Sequence, residues 1–142
     1  MSDFGKLISR VLMAAVFIVY GYMKLMDVSG ILGNPGVKKF MDLVMPGSAP
    51  PEYLGYLIGG IELVGGLAVL IGFLTRWAAV GLFLWTAVVT YFGHWAFWLM
   101  EGPARAMNQS NFLKNLAIMA AFLLLAIAGP GRYSVDGRDT SA

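Results

Sequence analysis

The stretch YLGYLIGGIELVGGLAVLIGFL, residues 53–74, decides the fold, because it is apolar over a length that can cross a lipid bilayer. A transmembrane helix needs about 20 consecutive, mostly apolar residues. One carboxylate, Glu62, lies near the middle of this stretch. An ionised acid in the bilayer core costs about 3 kcal/mol even on lenient insertion scales, unless it is paired, hydrogen-bonded or protonated. The stretch therefore predicts a membrane span with a buried polar site.

The composition of the whole chain also indicates a membrane protein. Of its 142 residues, 58% are hydrophobic and only 13% are charged, whereas soluble domains carry about 25% charged residues. The chain has no cysteine and a single histidine, which excludes disulfides and thiolate metal sites and argues against any metal site. A net charge of +2 without a basic cluster argues against nucleic acid as a partner and leaves the lipid bilayer as the expected surroundings.

Four segments have the length and composition of membrane spans, and they are residues 6–25, 53–74, 77–100 and 112–128. Only Thr75 and Arg76 join the second span to the third, which predicts a tight antiparallel hairpin. The polar link EGPARAMNQS, residues 101–110, is rich in turn formers, and residues 129–142 form a polar tail.

The link between the first two spans contains a further amphipathic segment, residues 36–44. Its apolar side chains recur at helical spacing, and they are Val37, Phe40, Met41 and Val44. This pattern predicts a short helix at the membrane interface. We therefore predict one all-α domain over residues 1–142: an integral membrane four-helix transmembrane bundle with a short interfacial helix between spans one and two.

Polar residues from all four spans are predicted to lie in one half of the membrane, away from the two termini. With a rise of about 1.5 Å per residue, Glu62 lies near the midplane, and the polar residues closest to its depth are Lys24, His94 and Asn115. We expect these four to form a buried cluster, with Tyr20 and Thr90 as neutral donors. Arg10 lies toward the opposite side of the membrane.

The helix faces support this cluster. Four stripes of small and polar residues recur at spacings of three and four: Arg10, Ala14, Phe17, Gly21 and Lys24; Gly55, Gly59, Glu62 and Gly66; Thr86, Thr90 and His94; Asn111, Asn115, Ile118 and Phe122. Small residues around an acid let another helix backbone come close, so these faces are predicted to contact one another. Two interpretations stay open, since the cluster can hold the helices together or can form a functional site.

Several motifs, in this order, resemble the DoxX family of small bacterial membrane proteins. They are Gly21 with Lys24, GGIELVGGLAVLIGFLTR at 59–76, His94, FLKNLAI at 112–118 and GPGRYSVD at 129–136. The resemblance implies a multi-pass protein of the bacterial inner (cytoplasmic) membrane with both termini in the cytoplasm. The lysines and arginines are evenly divided between the two sides and do not orient the chain alone. Family relatives include a subunit of a thiosulfate:quinone oxidoreductase and proteins linked to membrane redox complexes.

Two functions of different classes follow. In the first, the chain is a subunit of a quinone-linked oxidoreductase. Glu62 and His94 are then the catalytic residues, which contact the quinone oxygens and relay protons to them. The ligand-binding residues would be Lys24, Tyr20, Thr90, Asn115 and Arg10. No covalent cofactor is expected, and a redox partner subunit would supply the electrons.

In the second, the chain is a non-catalytic scaffold, assembly factor or small-molecule carrier. The polar cluster is then structural. A carrier would need a homo-oligomer, because four spans leave little room for a pathway.

Overall fold

The computed structural model describes residues 2–138, so that Met1 and the end of the predicted polar tail, residues 139–142, lie outside the described residues. The described chain is helical and contains no strand. Its α-helices are α1 (Asp3–Met26), α2 (Val28–Leu32), α3 (Pro35–Val44), α4 (Glu52–Ile71), α5 (Thr75–His94), α6 (Gly102–Ala128) and α7 (Val135–Arg138). A 3₁₀ turn, Phe97–Leu99, lies between α5 and α6.

Four of these helices, α1, α4, α5 and α6, are long and apolar enough to cross a membrane. This confirms the all-α, four-span prediction. Successive spans run in opposite directions, so the bundle has two ends. We call the end with the start of α1 and the end of α6 the terminal end, and the opposite end the distal end.

The boundaries of two spans differ from those predicted. The turn between α4 and α5 is formed by residues 72–74, and Thr75 and Arg76 belong to α5. Gly72 ends α4 in the left-handed conformation, with φ of 73°, and glycine adopts this conformation without steric cost.

The link at 101–110 is also different, because α6 begins at Gly102 instead of near residue 112. Pro103 lies in its first turn, where a proline starts a helix and does not break it.

The helices α1 and α4 pack with their backbones in contact. A Cβ atom placed on Gly21 would lie 2.5 Å from the backbone nitrogen of Leu63 and 2.9 Å from the carbonyl oxygen of Gly59. The predicted stripes are the buried faces: Arg10, Ala14, Phe17 and Gly21 in α1, and Gly55, Gly59, Glu62 and Gly66 in α4. Glycine at this contact allows the close approach that membrane helices use.

The segment predicted to be an interfacial helix is α3, and it docks on the distal part of α5. Phe40 meets the ring of Phe92 edge to face, with centroids 5.5 Å apart. Gly36 approaches Gly93 so closely that a Cβ on Gly36 would lie 3.1 Å from the Cα of Gly93. Val44, predicted to share the apolar face, is exposed. The chain between the first two spans therefore folds back over the distal end of the bundle.

The terminal end is closed by the residues that follow α6. Arg10, which is 1% exposed, donates from Nη2 to the carbonyl oxygen of Tyr133. Its Nε and Nη1 have no hydrogen-bond partner among residues 2–138. The Lys6 ammonium donates to the carbonyl oxygen of Ala128 at 3.0 Å. The described part of the predicted polar tail is therefore packed against the bundle.

Asp136 fixes this tail to the start of α5. Its carboxylate accepts hydrogen bonds from the backbone nitrogens of Leu74, at 2.9 Å, and Thr75, at 2.7 Å, and from the Thr75 hydroxyl at 2.8 Å. Burial raises the pKa of the Asp136 carboxyl, but the hydrogen bonds from Thr75 and Leu74 and the charge of Arg10 outweigh it. The pKa of Asp136 therefore lies below its ordinary value.

Candidate ligand-binding cavity

A cavity of about 750 Å³ opens in the distal half of the bundle, between the four spans and α3. Ligand pockets in proteins have volumes of about 300–1,000 Å³. Its walls are mostly apolar, and its polar side chains are Tyr20, Lys24, Asn34, Glu62, Trp85, Thr86, His94, Asn111, Lys114 and Asn115. Five of the seven predicted site residues therefore line one space, and they are Tyr20, Lys24, Glu62, His94 and Asn115.

Glu62 is the most buried of the charged groups around the cavity, with 4% of the residue exposed. Its Oε1 accepts from the Lys24 ammonium at 2.5 Å and from the Trp85 indole nitrogen at 3.0 Å. Its Oε2 is buried and has no hydrogen-bond partner among residues 2–138. A buried acceptor without a partner costs about 1–3 kcal/mol, so a ligand that donates a hydrogen bond to Oε2 would gain that energy.

Asn115 belongs to a second polar unit, which joins α6 to α5. Its side-chain nitrogen donates to the Thr90 hydroxyl at 2.9 Å, and this hydroxyl donates to the carbonyl oxygen of Thr86 at 2.6 Å. Thr90 is 5% exposed and does not line the cavity. It holds Asn115 in place, while a second amide hydrogen of Asn115 is available to a ligand.

His94 belongs to a third unit and does not contact Glu62. Its Nδ1 lies 2.8 Å from Oδ1 of Asn108, whose amide nitrogen donates to the carbonyl oxygen of Ala104 at 2.9 Å. We assign Nδ1 as the donor because Oδ1 can only accept. In the neutral ring, Nε2 is then a free acceptor.

The predicted cluster of Lys24, Glu62, His94 and Asn115 is therefore not one hydrogen-bonded network. It consists of three separate units around a common cavity. Arg10, predicted as a further ligand-binding residue, lies at the terminal end and does not line the cavity.

The sequence did not predict the hydrogen-bond partners of Glu62 and His94, which are Trp85 and Asn108. Trp85 lies near the middle of the third span, and this depth is the signal that could have placed it beside Glu62. Asn108 was assigned to a turn-rich link, although its spacing from Asn111 and Asn115 continues the polar stripe of α6 by three and four residues. Within residues 2–138, no group of three histidine or carboxylate side chains is placed to hold a metal ion.

The fold and the cavity define a small multi-pass membrane protein, and comparisons with known proteins give its family. The sequence matches the DoxX family over residues 5–95 and the SURF4 family over residues 54–141. It is 38% identical to the inner membrane protein YqjF of Escherichia coli, over 96% of this chain and 92% of that protein. It is 36% identical to the inner membrane protein YphA of the same organism, over 96% and 95% of the two chains.

A more distant relative is the uncharacterized membrane protein Rv3486 of Mycobacterium tuberculosis, which is 30% identical over 91% of this chain and 77% of that protein. No solved structure matches the sequence significantly. The chain belongs to the DoxX family, as the resemblance implied. Its four apolar spans and its inner-membrane relatives indicate a multi-pass protein of the bacterial inner membrane.

Proposed function

We propose that this protein binds a quinone-class molecule within the bilayer and works as a subunit of a membrane redox complex. The observation that carries the proposal is Glu62, which lines an apolar cavity and whose buried Oε2 atom is an acceptor without a partner among the described residues. A molecule with an apolar body and a small polar head matches both features. Such a molecule reaches the cavity from the lipid phase.

The polar groups of the cavity fit both forms of a quinone. A quinone accepts hydrogen bonds at its carbonyl oxygens, and the Lys24 ammonium and the Asn115 amide have donors to spare. The reduced form donates from its hydroxyls, and Oε2 of Glu62 and Nε2 of His94 are acceptors. A bound quinone would take up two electrons and two protons, with the electrons supplied by a redox partner subunit.

In this proposal, Glu62 and His94 are the residues that exchange protons with the ligand. Glu62 holds a hydroxyl proton at Oε2, while Lys24 and Trp85 fix the other carboxylate oxygen. His94 takes or returns a proton at Nε2, and Asn108 keeps the ring oriented through Nδ1. Tyr20 lines the same cavity and supplies a hydroxyl that can contact the ligand head.

We further propose that both termini face the cytoplasm, so that the cavity lies in the periplasmic half of the bilayer. Two distal lysines, Lys24 and Lys114, line the cavity and need not act as topology signals. The terminal end then carries the excess of lysine and arginine, as the positive-inside rule requires. Because the chain has no cysteine, a Ser48→Cys variant at an exposed position of the distal end tests this orientation: a membrane-impermeant thiol reagent should label it from the periplasm in intact cells.

Thermal stability of the purified protein tests the binding proposal. Short-chain ubiquinol and ubiquinone should each raise the Tm of the wild type, and Glu62→Gln should remove most of this rise. Glu52→Gln is the matched control, because Glu52 is an exposed carboxylate on the same helix that does not line the cavity. If neither form of the quinone shifts the wild-type Tm, the proposal is wrong.

One observation favours the alternative of a scaffold, assembly factor or carrier. The Lys24–Glu62 ion pair of 2.5 Å joins α1 to α4 directly, as a structural contact would. In that case Glu62→Gln lowers the Tm equally with and without quinone. Native mass spectrometry of protein extracted gently from its own membrane separates the alternatives further, since it reports a retained quinone, a partner subunit or a homo-oligomer.

A further inference from the structure

A second cleft, of about 490 Å³, lies at the terminal end of the bundle and shares no residue with the distal cavity. It is bordered by the start of α5, the end of α6 and the segment that follows α6. Two arginines line it: Arg76, in the first turn of α5, and Arg132, in that following segment. The quinone proposal uses neither of them.

The guanidinium groups of Arg76 and Arg132 have no partner in the part of the chain that the structure describes. Neither makes a hydrogen bond or an ion pair to the side chains or backbone of residues 2–138. Arg76 extends toward the end of α6, where a Cβ on Gly129 would lie 3.3 Å from its Nη2. Gly129 has φ of 71°, so this position favours glycine for its backbone conformation as well as for the room it leaves.

The two carboxylates that border the cleft are engaged elsewhere. Asp136 accepts hydrogen bonds from Leu74 and Thr75 at the start of α5. It also interacts electrostatically with the buried Arg10. Asp3 accepts from the backbone nitrogen of Arg132 at 3.3 Å. Arg10 compensates the charge of Asp136, and neither Arg76 nor Arg132 forms an ion pair with a carboxylate of residues 2–138.

The cleft also lies at the height of the lipid headgroups, because α5 begins and α6 ends there. Trp77 lines it and is 76% exposed, and tryptophan is enriched at the boundary between membrane and water. Arginine binds phosphate through two parallel hydrogen bonds. We propose that Arg76 and Arg132 bind the phosphate of an anionic phospholipid, whose acyl chains lie along the lipid-facing surface of α5 and α6.

Native mass spectrometry and thermal unfolding with defined lipids test this site. Dioleoyl phosphatidylglycerol should bind the wild type and raise its Tm more than dioleoyl phosphatidylcholine does. Arg76→Gln and Arg132→Gln should each weaken phosphatidylglycerol binding about tenfold, the loss of one charge-assisted hydrogen bond. Arg76→Lys should retain part of the affinity, because it keeps the charge and loses the bidentate geometry.

Arg105→Gln is the matched control, since Arg105 is an exposed arginine at the distal end of α6. Equal binding of the two lipids, or an equal loss in Arg105→Gln, would overturn the proposal. If inorganic phosphate alone reproduces the full rise in Tm, the site binds a free anion and not a lipid, and the proposal is wrong. If Arg76→Gln does not fold, lipid binding by Arg132→Gln tests the proposal instead. Arg132 is exposed, so its replacement should not disturb folding. None of these measurements involves a quinone, so the two proposals fail independently.

Discussion

The two ends of the bundle bury polar residues against different partners. At the terminal end, Arg10 and Asp136 bind backbone groups of the chain itself, and these bonds hold the segment after α6 against the bundle. At the distal end, Lys24, Glu62 and Trp85 bind one another across helices, around a cavity of about 750 Å³.

This difference separates a structural use of buried charge from a binding use. Polar groups that bind backbone groups of the same chain hold the segment after α6 against the bundle. Buried polar atoms without a partner among residues 2–138 occur at both ends, namely Nε and Nη1 of Arg10 and Oε2 of Glu62. Glu62 lines the distal cavity, whereas Arg10 lines neither the distal cavity nor the terminal cleft. The following predictions test whether the two ends behave in these two ways.

Arg10→Met should give the largest loss of stability. The variant removes a fully buried cation and leaves the carbonyl oxygen of Tyr133 and the carboxylate of Asp136 without it. We expect the free energy of unfolding to fall by about 3 kcal/mol. Reversible unfolding by SDS in mixed micelles measures the change, and Arg105→Gln, at an exposed position, should change it by less than about 0.5 kcal/mol. Equal losses in the two variants would show that Arg10 does not hold the terminal end.

Gly21→Ala should give the next largest loss, because it pushes apart the two helices that bring Lys24 to Glu62. The new Cβ would lie 2.5 Å from a backbone atom of Leu63, and overpacking of this kind costs about 1–3 kcal/mol. Gly81→Ala is the control, since a Cβ there meets nothing within 4 Å. Alanine also has a higher helix propensity than glycine, so this variant should be slightly more stable. The same SDS unfolding assay should show opposite signs for the two variants, and a neutral Gly21→Ala would rule out close α1–α4 contact.

A double-mutant cycle should measure the coupling of the distal ion pair. Glu62→Gln and Lys24→Met each leave one charge without its partner, whereas the double variant leaves neither. We expect the double variant to lose less stability than the two single variants together, by about 1 kcal/mol, because Lys24 is 21% exposed and partly solvated. Strict additivity would mean that the two side chains do not interact.

The smallest expected effect is a pH dependence of stability that arises from Asp136 at the terminal end. The folded pKa of Asp136 lies below its ordinary value, so its stabilising contribution is present above about pH 4 and is lost as the pH falls through the folded pKa. Asp136→Asn should therefore be less stable than the wild type at pH 6, and the difference should shrink toward pH 3. Thermal unfolding at a series of pH values measures it, and a constant difference would contradict the lowered pKa.

The spans and their buried faces could be predicted because both depend on local periodicity. The stripes of α1 and α4 follow from the spacing of small residues around Arg10 and Glu62, and the structure buries those stripes. The turn at 72–74 and the start of α6 at Gly102 could not be predicted from periodicity. Glycine and proline mark both helix ends and loops, and only their capping geometry distinguishes the two.

The partners across the bundle were harder to predict than the faces. Depth placed His94 beside Glu62, but α5 ends at His94, and its ring contacts Asn108 at the start of α6. The contact of Asp136 with Thr75 joins residues far apart in the chain, so it could not be predicted from local sequence patterns. The roles of Glu62 and His94 in ligand chemistry stay predictions.

The hydrogen bond between Trp85 and Glu62 gives the protein an internal optical reporter. The chain has four tryptophans, and the other three, Trp77, Trp95 and Trp98, are exposed. With these three replaced by phenylalanine, all indole fluorescence would come from a ring bonded at 3.0 Å to the acid of the cavity. The wavelength of emission would follow the charge of Glu62, and quenching would follow the arrival of an aromatic ligand, without any attached dye.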